Sequence, residues 1–113
     1  MASETKVGTY TGTGAAVNIE LGWTPDYVKI VNLTDGDDAW EYFAGMTAGH
    51  AIYTRSVTDN ATTGNASMSR ITSNGITPRN PTDFSGNKGF TAGSALSENG
   101  KTFGFVAVRN AEY

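Results

Sequence analysis

A single histidine limits the catalytic chemistry that this chain can perform. Any Ser-His-Asp arrangement, or general acid–base catalysis by histidine, would have to use His50. No Gly-x-Ser-x-Gly nucleophile motif accompanies it. A small hydrolase would need to combine His50 with Asp26, Asp35 or Glu41, yet acid, base and nucleophile do not cluster along the chain. The sequence therefore predicts a surface or packing role for His50, no catalytic residues and a protein that is not an enzyme.

A run of acidic residues is the other group whose side chains could take part in chemistry. Asp35, Asp37, Asp38 and Glu41 could supply oxygen ligands to a hard cation. Their spacing does not match the EF-hand loop, and Asp-Gly at the start of the run is typical of a tight turn. The chain has no cysteine, which removes disulfides and thiolate metal sites. We expect a charged hairpin turn here, with no bound metal and no cofactor.

The charge pattern bears on the choice of partner. The formal net charge is −3, and the basic residues are scattered singly. Without a basic cluster, nucleic acid and anionic membranes are poor partners. No apolar stretch approaches the ~20 residues that span a bilayer, and the first residues lack the pattern of a signal peptide. We therefore expect a protein that stays in an aqueous compartment.

Composition and periodicity predict the elements that would position these residues. The chain has 113 residues, with 14 Gly and 16 Thr against only 3 Leu, which disfavours helical bundles. Apolar and polar residues alternate from Ala15 to Leu21, as in a half-buried strand. The stretch from Tyr27 to Leu33 is apolar on both faces in part, as in a central strand, and Asp35-Gly36 predicts a hairpin that returns to Phe43. Asn99-Gly100 predicts a second hairpin near the C-terminus.

These elements combine into a fold prediction. About seven or eight short strands with long connections predict an all-β, single-domain antiparallel β-sandwich of jelly-roll-like type with long loops. Residues 1–12 would form an N-terminal arm and the first strand, and residues 13–113 the sandwich. A core this thin gains stability from association with other chains.

The residues expected to contact a partner come from three places. The N-terminal segment from Ser3 to Thr9 is polar and is expected to reach a neighbour, and the connections around Asn60 and Asn80 are long and polar. An aromatic platform could form from Trp40, Tyr42 and Phe43 with Trp23 and Tyr27, but half of these rings should point inward on alternating strands, so core packing is favoured. The arginines expected on loops could pair with acidic groups of a partner, although a solvated surface position is the commoner outcome; they are Arg55, Arg70 and Arg79. The contact residues so predicted are Ser3, Glu4, Thr5, Lys6, Val7, Trp40, Tyr42, Asn60, Arg79 and Asn80.

Two stretches are similar to small virion proteins of tailed bacteriophages. From Gly14 to Asn32 the chain resembles a pattern in which a strand is followed by Leu-Gly-aromatic-x-Pro-x-x-Val, here Leu21 to Val28. The run from Gly89 to Gly93, followed by Asn99 to Phe103 and by Val106-Ala107, resembles the closing hairpin of the same kind of domain. Together the two stretches cover about a third of the chain and consist mostly of turn and core positions.

The resemblance implies a virion structural protein, specifically a capsid decoration (cement) protein. Such a protein would be made in the host cytoplasm, bind the major capsid protein on the outer surface of the assembled head, and stabilise the contacts between capsomers. It would associate with itself, most often as a trimer. The alternative is a tail or head-fibre component that contacts a host glycan through an aromatic surface, although the chain contains no repetitive shaft.

Overall fold

Nine antiparallel strands build the part of the chain that the computed structural model describes, residues 4–56, 66–80 and 88–109. The strands are β1 (Glu4–Thr11), β2 (Val17–Glu20), β3 (Tyr27–Asn32), β4 (Asp38–Phe43), β5 (Ala51–Ser56), β6 (Ala66–Ile71), β7 (Ile76–Arg79), β8 (Gly89–Ala92) and β9 (Thr102–Arg109). The only helical segment in these ranges is a 3₁₀ turn, Ser94–Leu96. The predicted all-β class is confirmed.

The strands form two sheets of unequal size. The large sheet has six strands in the order β1-β9-β3-β4-β5-β6, and the small sheet has three in the order β2-β8-β7. The first strand pairs with the last, and the second pairs with the penultimate strand in the other sheet. This inward wrapping of the two chain ends is the jelly-roll-like feature of the sandwich. The middle of the chain is a plain meander, since β3 to β6 are consecutive neighbours in one sheet.

The core lies where the small sheet packs on the large one. Alternation along β9 turns Phe103, Phe105 and Ala107 to the inside, where each is buried. Phe105 meets Phe90 of β8 edge to face, with ring centroids 5.4 Å apart, and this contact joins the two layers. Phe103 stacks on Tyr10 of β1 at 5.3 Å. Aromatic rings thus fill a core that contains few long aliphatic side chains.

One predicted hairpin is confirmed and the other is wrong. β3 and β4 pair from Tyr27 with Phe43 to Val31 with Ala39, and Gly36 has a φ of 72° in the turn between them. By contrast, β8 and β9 lie in different sheets. Asn99-Gly100 still forms a tight turn, with Gly100 at a φ of 83°. This turn lies in the connection between the two sheets, because the chain passes through the 3₁₀ turn on its way from β8 in the small sheet to β9 in the large one.

The expected N-terminal arm is a regular strand from Glu4 onward. β1 pairs with β9 without interruption, from Glu4 opposite Arg109 to Thr11 opposite Thr102. Tyr10 anchors it in the core, because its ring is buried and its hydroxyl donates to the carbonyl of Leu96 at 2.8 Å. These residues form an edge of the large sheet, so the prediction of a free arm is wrong from Glu4 onward.

Candidate functional site

The large sheet has an outer face, turned away from the small sheet, that is apolar over much of its area. Because neighbouring residues on a strand point to opposite faces, the buried inner residues identify the outer ones. We define the outer face by the following side chains, in sheet order: Thr5, Val7, Thr9, Val106, Val108, Tyr27, Lys29, Val31, Leu33, Ala39, Glu41, Phe43, Ile52, Thr54, Met68 and Arg70.

The four large apolar side chains that are most exposed in the described residues all lie on this face. Val7 is 70% exposed, Leu33 53%, Phe43 49% and Met68 72%. They are spread across the sheet, from the edge strand β1, through β3 and β4, to the edge strand β6. Single exposed apolar residues are common on soluble proteins, but a face that collects all of them is typical of a surface that another molecule covers.

A groove of about 270 Å³ opens on the outer face, over Gly104. Its walls come from β1, β9 and β3: Val7, Gly8, Thr9, Lys29, Val31, Leu33, Gly104, Phe105 and Val106. Gly104 forms the floor because it has no side chain, and a Cβ there would lie 2.9 Å from Cδ1 of Leu33. Lys29 is the one charged residue of the lining. The groove therefore suits an apolar side chain of a partner better than a polar ligand.

Two polar groups on the outer face, those of Tyr27 and Glu41, are paired with each other. The hydroxyl of Tyr27 donates to Oε2 of Glu41 at 2.6 Å, and the Tyr27 ring lies 5.0 Å from that of Phe43. Burial, and then the hydrogen bond and charge of Glu41, raise the pKa of Tyr27 to about 12. Lys29 lies directly opposite Glu41 in the β3–β4 register. The hydrogen bond between Tyr27 and Glu41 lowers the cost of covering these two groups with another protein.

The residues considered for catalysis have separate structural partners. Nδ1 of His50 accepts a hydrogen bond from Nε of Arg70 at 3.0 Å. Asp35 accepts from Nδ2 of Asn32 and forms an ion pair with Lys101 at 3.2 Å. Glu41 is engaged by Tyr27, as described above. The geometry does not assemble His50, Asp35 and Glu41 around a common point.

The acidic run is divided between the two faces of the sheet and the turn. Asp38 turns inward and accepts from the hydroxyl of Tyr53 at 2.8 Å, whereas Glu41 turns outward. Asp35 caps the β3–β4 turn, where its N–H donates to Oδ1 of Asn32 at 3.1 Å. Within residues 4–56, 66–80 and 88–109, no three His, Cys, Asp or Glu side chains come together as metal ligands would.

A second cleft, of about 230 Å³, lies on the inner side where the small sheet does not reach. It is lined by Asn32, Asp38, Trp40, Tyr53, Ile71, Ala95, Glu98 and Phe103. Trp40 and Tyr53 stack on each other with centroids 5.2 Å apart, so their rings present little free face. Asp38 is already bonded to Tyr53. The cleft is thus a gap in the core packing whose polar groups are largely occupied.

The favoured prediction of core packing is confirmed for Trp40 and Tyr42, and their assignment as partner contacts is wrong. Both residues lie on the inner face of β4 and are only 5% exposed. The hydroxyl of Tyr42 donates to the carbonyl of Met46 at 3.0 Å, which fixes the ring inside the fold. Neither ring is available to a sugar or to a partner protein. The neighbouring Phe43, which alternation turns outward, is the exposed aromatic side chain of this strand.

The remaining predicted contact residues fall into three groups. Glu4, Thr5, Lys6 and Val7 are exposed on the edge strand β1, where Glu4 forms an ion pair with Arg109 at 2.7 Å. Asn80 is exposed. Ser3 and Asn60 lie outside the described residues.

Arg79 is the last of the predicted contact residues and belongs to none of these groups. It ends strand β7 and its carbonyl accepts from the hydroxyl of Thr24 at 2.8 Å, so it is half-buried and not on a loop. Arg55 and Arg70, also expected on loops, lie in β5 and β6. Strand pairing thus fixes the backbone of these three arginines, so their predicted position on loops is wrong, while their contact with a partner stays a prediction.

Leu33 and Met68 are surface residues that sequence reasoning did not single out. The available signal was the apolar character of both faces of the stretch from Tyr27 to Leu33. In a two-layer sandwich only one face of a central strand meets the other layer, so apolar residues on the second face point to a further contact.

Comparison of the chain with protein-family models, with curated proteins and with solved structures finds no match. Among the described residues, no helix has the length and hydropathy to cross a membrane.

Proposed function

We propose that the protein is a non-enzymatic structural protein of a tailed-phage virion that decorates the outer surface of the assembled head and stabilises contacts between capsomers. The observation that carries the proposal is the apolar outer face of the large sheet, with Val7, Leu33, Phe43 and Met68 exposed on it. The virion context comes from the resemblance of the two ends of the chain to small phage virion proteins.

The outer face suits a partner that is itself a protein. It is broad, it presents scattered apolar side chains around one shallow groove, and its Glu41 and Arg70 are hydrogen-bonded within the chain. Small-molecule sites are deeper and enclose their ligand, whereas protein interfaces combine a dry apolar centre with a polar rim. On a capsid lattice, many copies of such a contact act together, so that a modest affinity per copy is sufficient.

Binding to assembled shells tests the proposal. Purified protein is mixed with empty shells of the major capsid protein encoded in the same genome, and binding is followed by co-sedimentation and electron microscopy. We expect saturable binding at fixed lattice positions. The double variant Leu33→Lys, Phe43→Lys places two charges on the outer face, and its binding should be at least about tenfold weaker, equivalent to about 1.4 kcal/mol.

A matched variant separates the outer face from a general charge effect. Ser94→Lys with Asn99→Lys adds the same charge on the exposed connection between β8 and β9, which packs on the inner side of the large sheet. This control should bind as the wild type does. Failure of the wild-type protein to bind any shell, together with binding to a glycan array, would replace the decoration proposal with the fibre alternative.

A further inference from the structure

Strand β1 is a long and regular edge of the large sheet. It pairs with β9 on one side, and no described strand pairs with it on the other. Proteins protect such edges with proline, short strands or charged side chains. The other three sheet edges have such features: β7 contains Pro78, β2 has four residues, and β6 carries Arg70. β1 carries Glu4 and Lys6 near its start, but it has eight residues, no proline and an unbroken register, and none of the residues from Val7 to Thr11 is charged.

Two hydrogen bonds determine which backbone groups of β1 point to the free side. The N–H of Gly12 donates to the carbonyl of Lys101 at 2.8 Å, and the N–H of Leu33 donates to the carbonyl of Thr102 at 2.8 Å. Both bonds follow the registers of the β1–β9 and β3–β9 ladders. Since bonded residues alternate along an antiparallel strand, even-numbered residues of β1 bond to β9. The odd-numbered residues direct their N–H and C=O groups outward; these edge residues are Thr5, Val7, Thr9 and Thr11.

The sequence of β1 is complementary to itself in one antiparallel register. With a two-fold axis at Gly8, Val7 lies opposite Thr9 of a second copy and Thr5 lies opposite Thr11, so that every edge residue meets another edge residue. β-Branched side chains then pair across the junction on the outer face. This register also places no two like charges opposite each other, because Lys6 lies opposite Tyr10 and Glu4 opposite Gly12.

We infer that the free edge of β1 binds a second copy of this chain through antiparallel β1–β1 pairing. The six strands of each copy become one continuous sheet, and Val7 of one outer face is brought beside Thr9 of the next. The two grooves over Gly104, each lined by residues of β1, then lie side by side. Such a two-fold contact closes at two copies, so the assembly is a dimer and not the trimer that the resemblance implies.

The inference does not depend on the capsid proposal, since it concerns the edge of the sheet and the isolated protein. It also adds to that proposal, because pairing doubles the apolar surface presented in one direction without covering any of it. The edge acts through backbone groups and the outer face through side chains. The two can therefore be removed separately by substitution.

The molar mass of the isolated protein, measured by light scattering, tests the inference. We expect twice the monomer mass of 11.9 kDa. In Thr9→Pro the ring replaces an N–H that the β1–β9 ladder does not use, so the fold is kept while strand addition is blocked. This variant should be a monomer, whereas Thr9→Val, which keeps the N–H and the branched side chain, should remain a dimer. A monomeric or trimeric wild type, or a dimeric Thr9→Pro, would overturn the inference.

Hydrogen exchange gives a readout that does not depend on any variant folding. In the wild-type dimer, amides of odd- and even-numbered β1 residues are both protected, whereas in a monomer only the even-numbered ones are. We expect the edge residues to exchange at least about tenfold more slowly than unpaired amides. Rapid exchange of the edge residues in the wild type would contradict β1–β1 pairing.

The two proposals fail in different ways. Leu33→Lys with Phe43→Lys should remain a dimer and lose binding to shells, because the edge is intact. A dimer that binds no shell would contradict the capsid proposal alone, and shell binding by a monomeric wild type would contradict the edge inference alone.

Discussion

The two faces of the six-stranded sheet are built from the same strands, yet they have different surroundings. Along β9, Phe103, Phe105 and Ala107 are buried against other parts of the chain, while Val106 and Val108 lie on the outer face with no described layer above them. Both faces are apolar, but the small sheet has three strands and covers only the inner one. The inner face accounts for the stability of the monomer, and the outer face is the surface that a partner would cover.

The difference shows that apolar content alone does not locate the core. β3 carries Val28 and Ile30 on one side and Val31, with Leu33 beyond its end, on the other. Strand alternation assigns these to two faces, but the position of the second layer decides which face is covered. An apolar face that no described layer covers supports the proposal that the protein is one part of a larger assembly.

Truncation of one ring on the inner face should have the largest effect. Phe103 is 1% exposed and contacts the rings of Tyr10 and Trp40, so Phe103→Ala removes packing from the centre of the core. We expect a loss of about 3–5 kcal/mol in the free energy of unfolding, measured by denaturant titration. The outer-face variant Leu33→Ala should lose about 0.5 kcal/mol or less.

Similar losses for Phe103→Ala and Leu33→Ala would contradict the distinction between the faces. If Phe103→Ala does not fold, Phe103→Leu preserves much of the volume and should cost less than about 1.5 kcal/mol. That cost should still exceed the cost of Leu33→Ala.

Two glycines in neighbouring strands provide a smaller and sharper comparison. A Cβ at Gly8 would lie 2.9 Å from the ring of buried Phe105, and a Cβ at Gly104 would lie 2.9 Å from the half-exposed Leu33. The Phe105 ring is held by Phe90, so Gly8→Ala should cost about 1–3 kcal/mol. Leu33 can move into solvent, so Gly104→Ala should change the stability of the monomer by about 0.5 kcal/mol or less.

Binding to shells should be sensitive to Gly104→Ala, in contrast to the stability of the monomer. Gly104→Ala places a methyl group on the floor of the groove, so we expect it to weaken binding to shells although the monomer is hardly affected. A stable Gly104→Ala protein with unchanged binding would show that the groove is not part of the contact.

The smallest expected effect is on the free energy of unfolding at alkaline pH. Burial raises the pKa of Tyr10 above its ordinary value of 10.0, so folding favours the neutral phenol. The corresponding stability is present below pH 10 and decreases as the pH rises toward the pKa of the folded state. Tyr10→Phe has no ionisable phenol, so its stability has no such pH dependence. It also leaves the carbonyl of Leu96 without its donor, which lowers the free energy of unfolding by about 1 kcal/mol at neutral pH.

The difference between wild type and Tyr10→Phe should therefore shrink above pH 10, as measured by urea unfolding at about pH 8 and about pH 11. A difference that is constant over this range would show that the Tyr10 phenol ionises as freely in the folded protein as in the unfolded chain.

Local patterns predicted the strands well and their partners less well. The alternation at Val17 and Ile19 and the turn at Asp35-Gly36 depend on neighbouring residues, and both predictions are confirmed. Asn99-Gly100 has the turn geometry that its sequence favours, but the sheet to which each flanking strand belongs depends on distant residues.

The candidate site was harder to predict for the same reason. Trp40 and Tyr42 are as apolar and aromatic as Phe43, and only the position of the second layer decides that the first two are buried. The edge role of β1 likewise requires its pairing with β9, more than ninety residues away in the chain. The residues of the outer face become a surface only when six strands are placed side by side.

The central claim, that the outer face is covered by a protein partner, is tested most directly by covalent labelling of solvent-exposed side chains with and without bound shells. We expect labelling of Leu33, Phe43 and Met68 to fall strongly in the complex, while the exposed Ala95 on the inner side stays as reactive as in the free protein. Unchanged labelling of the three outer-face residues in a saturated complex, with protection of Ala95, would contradict the claim.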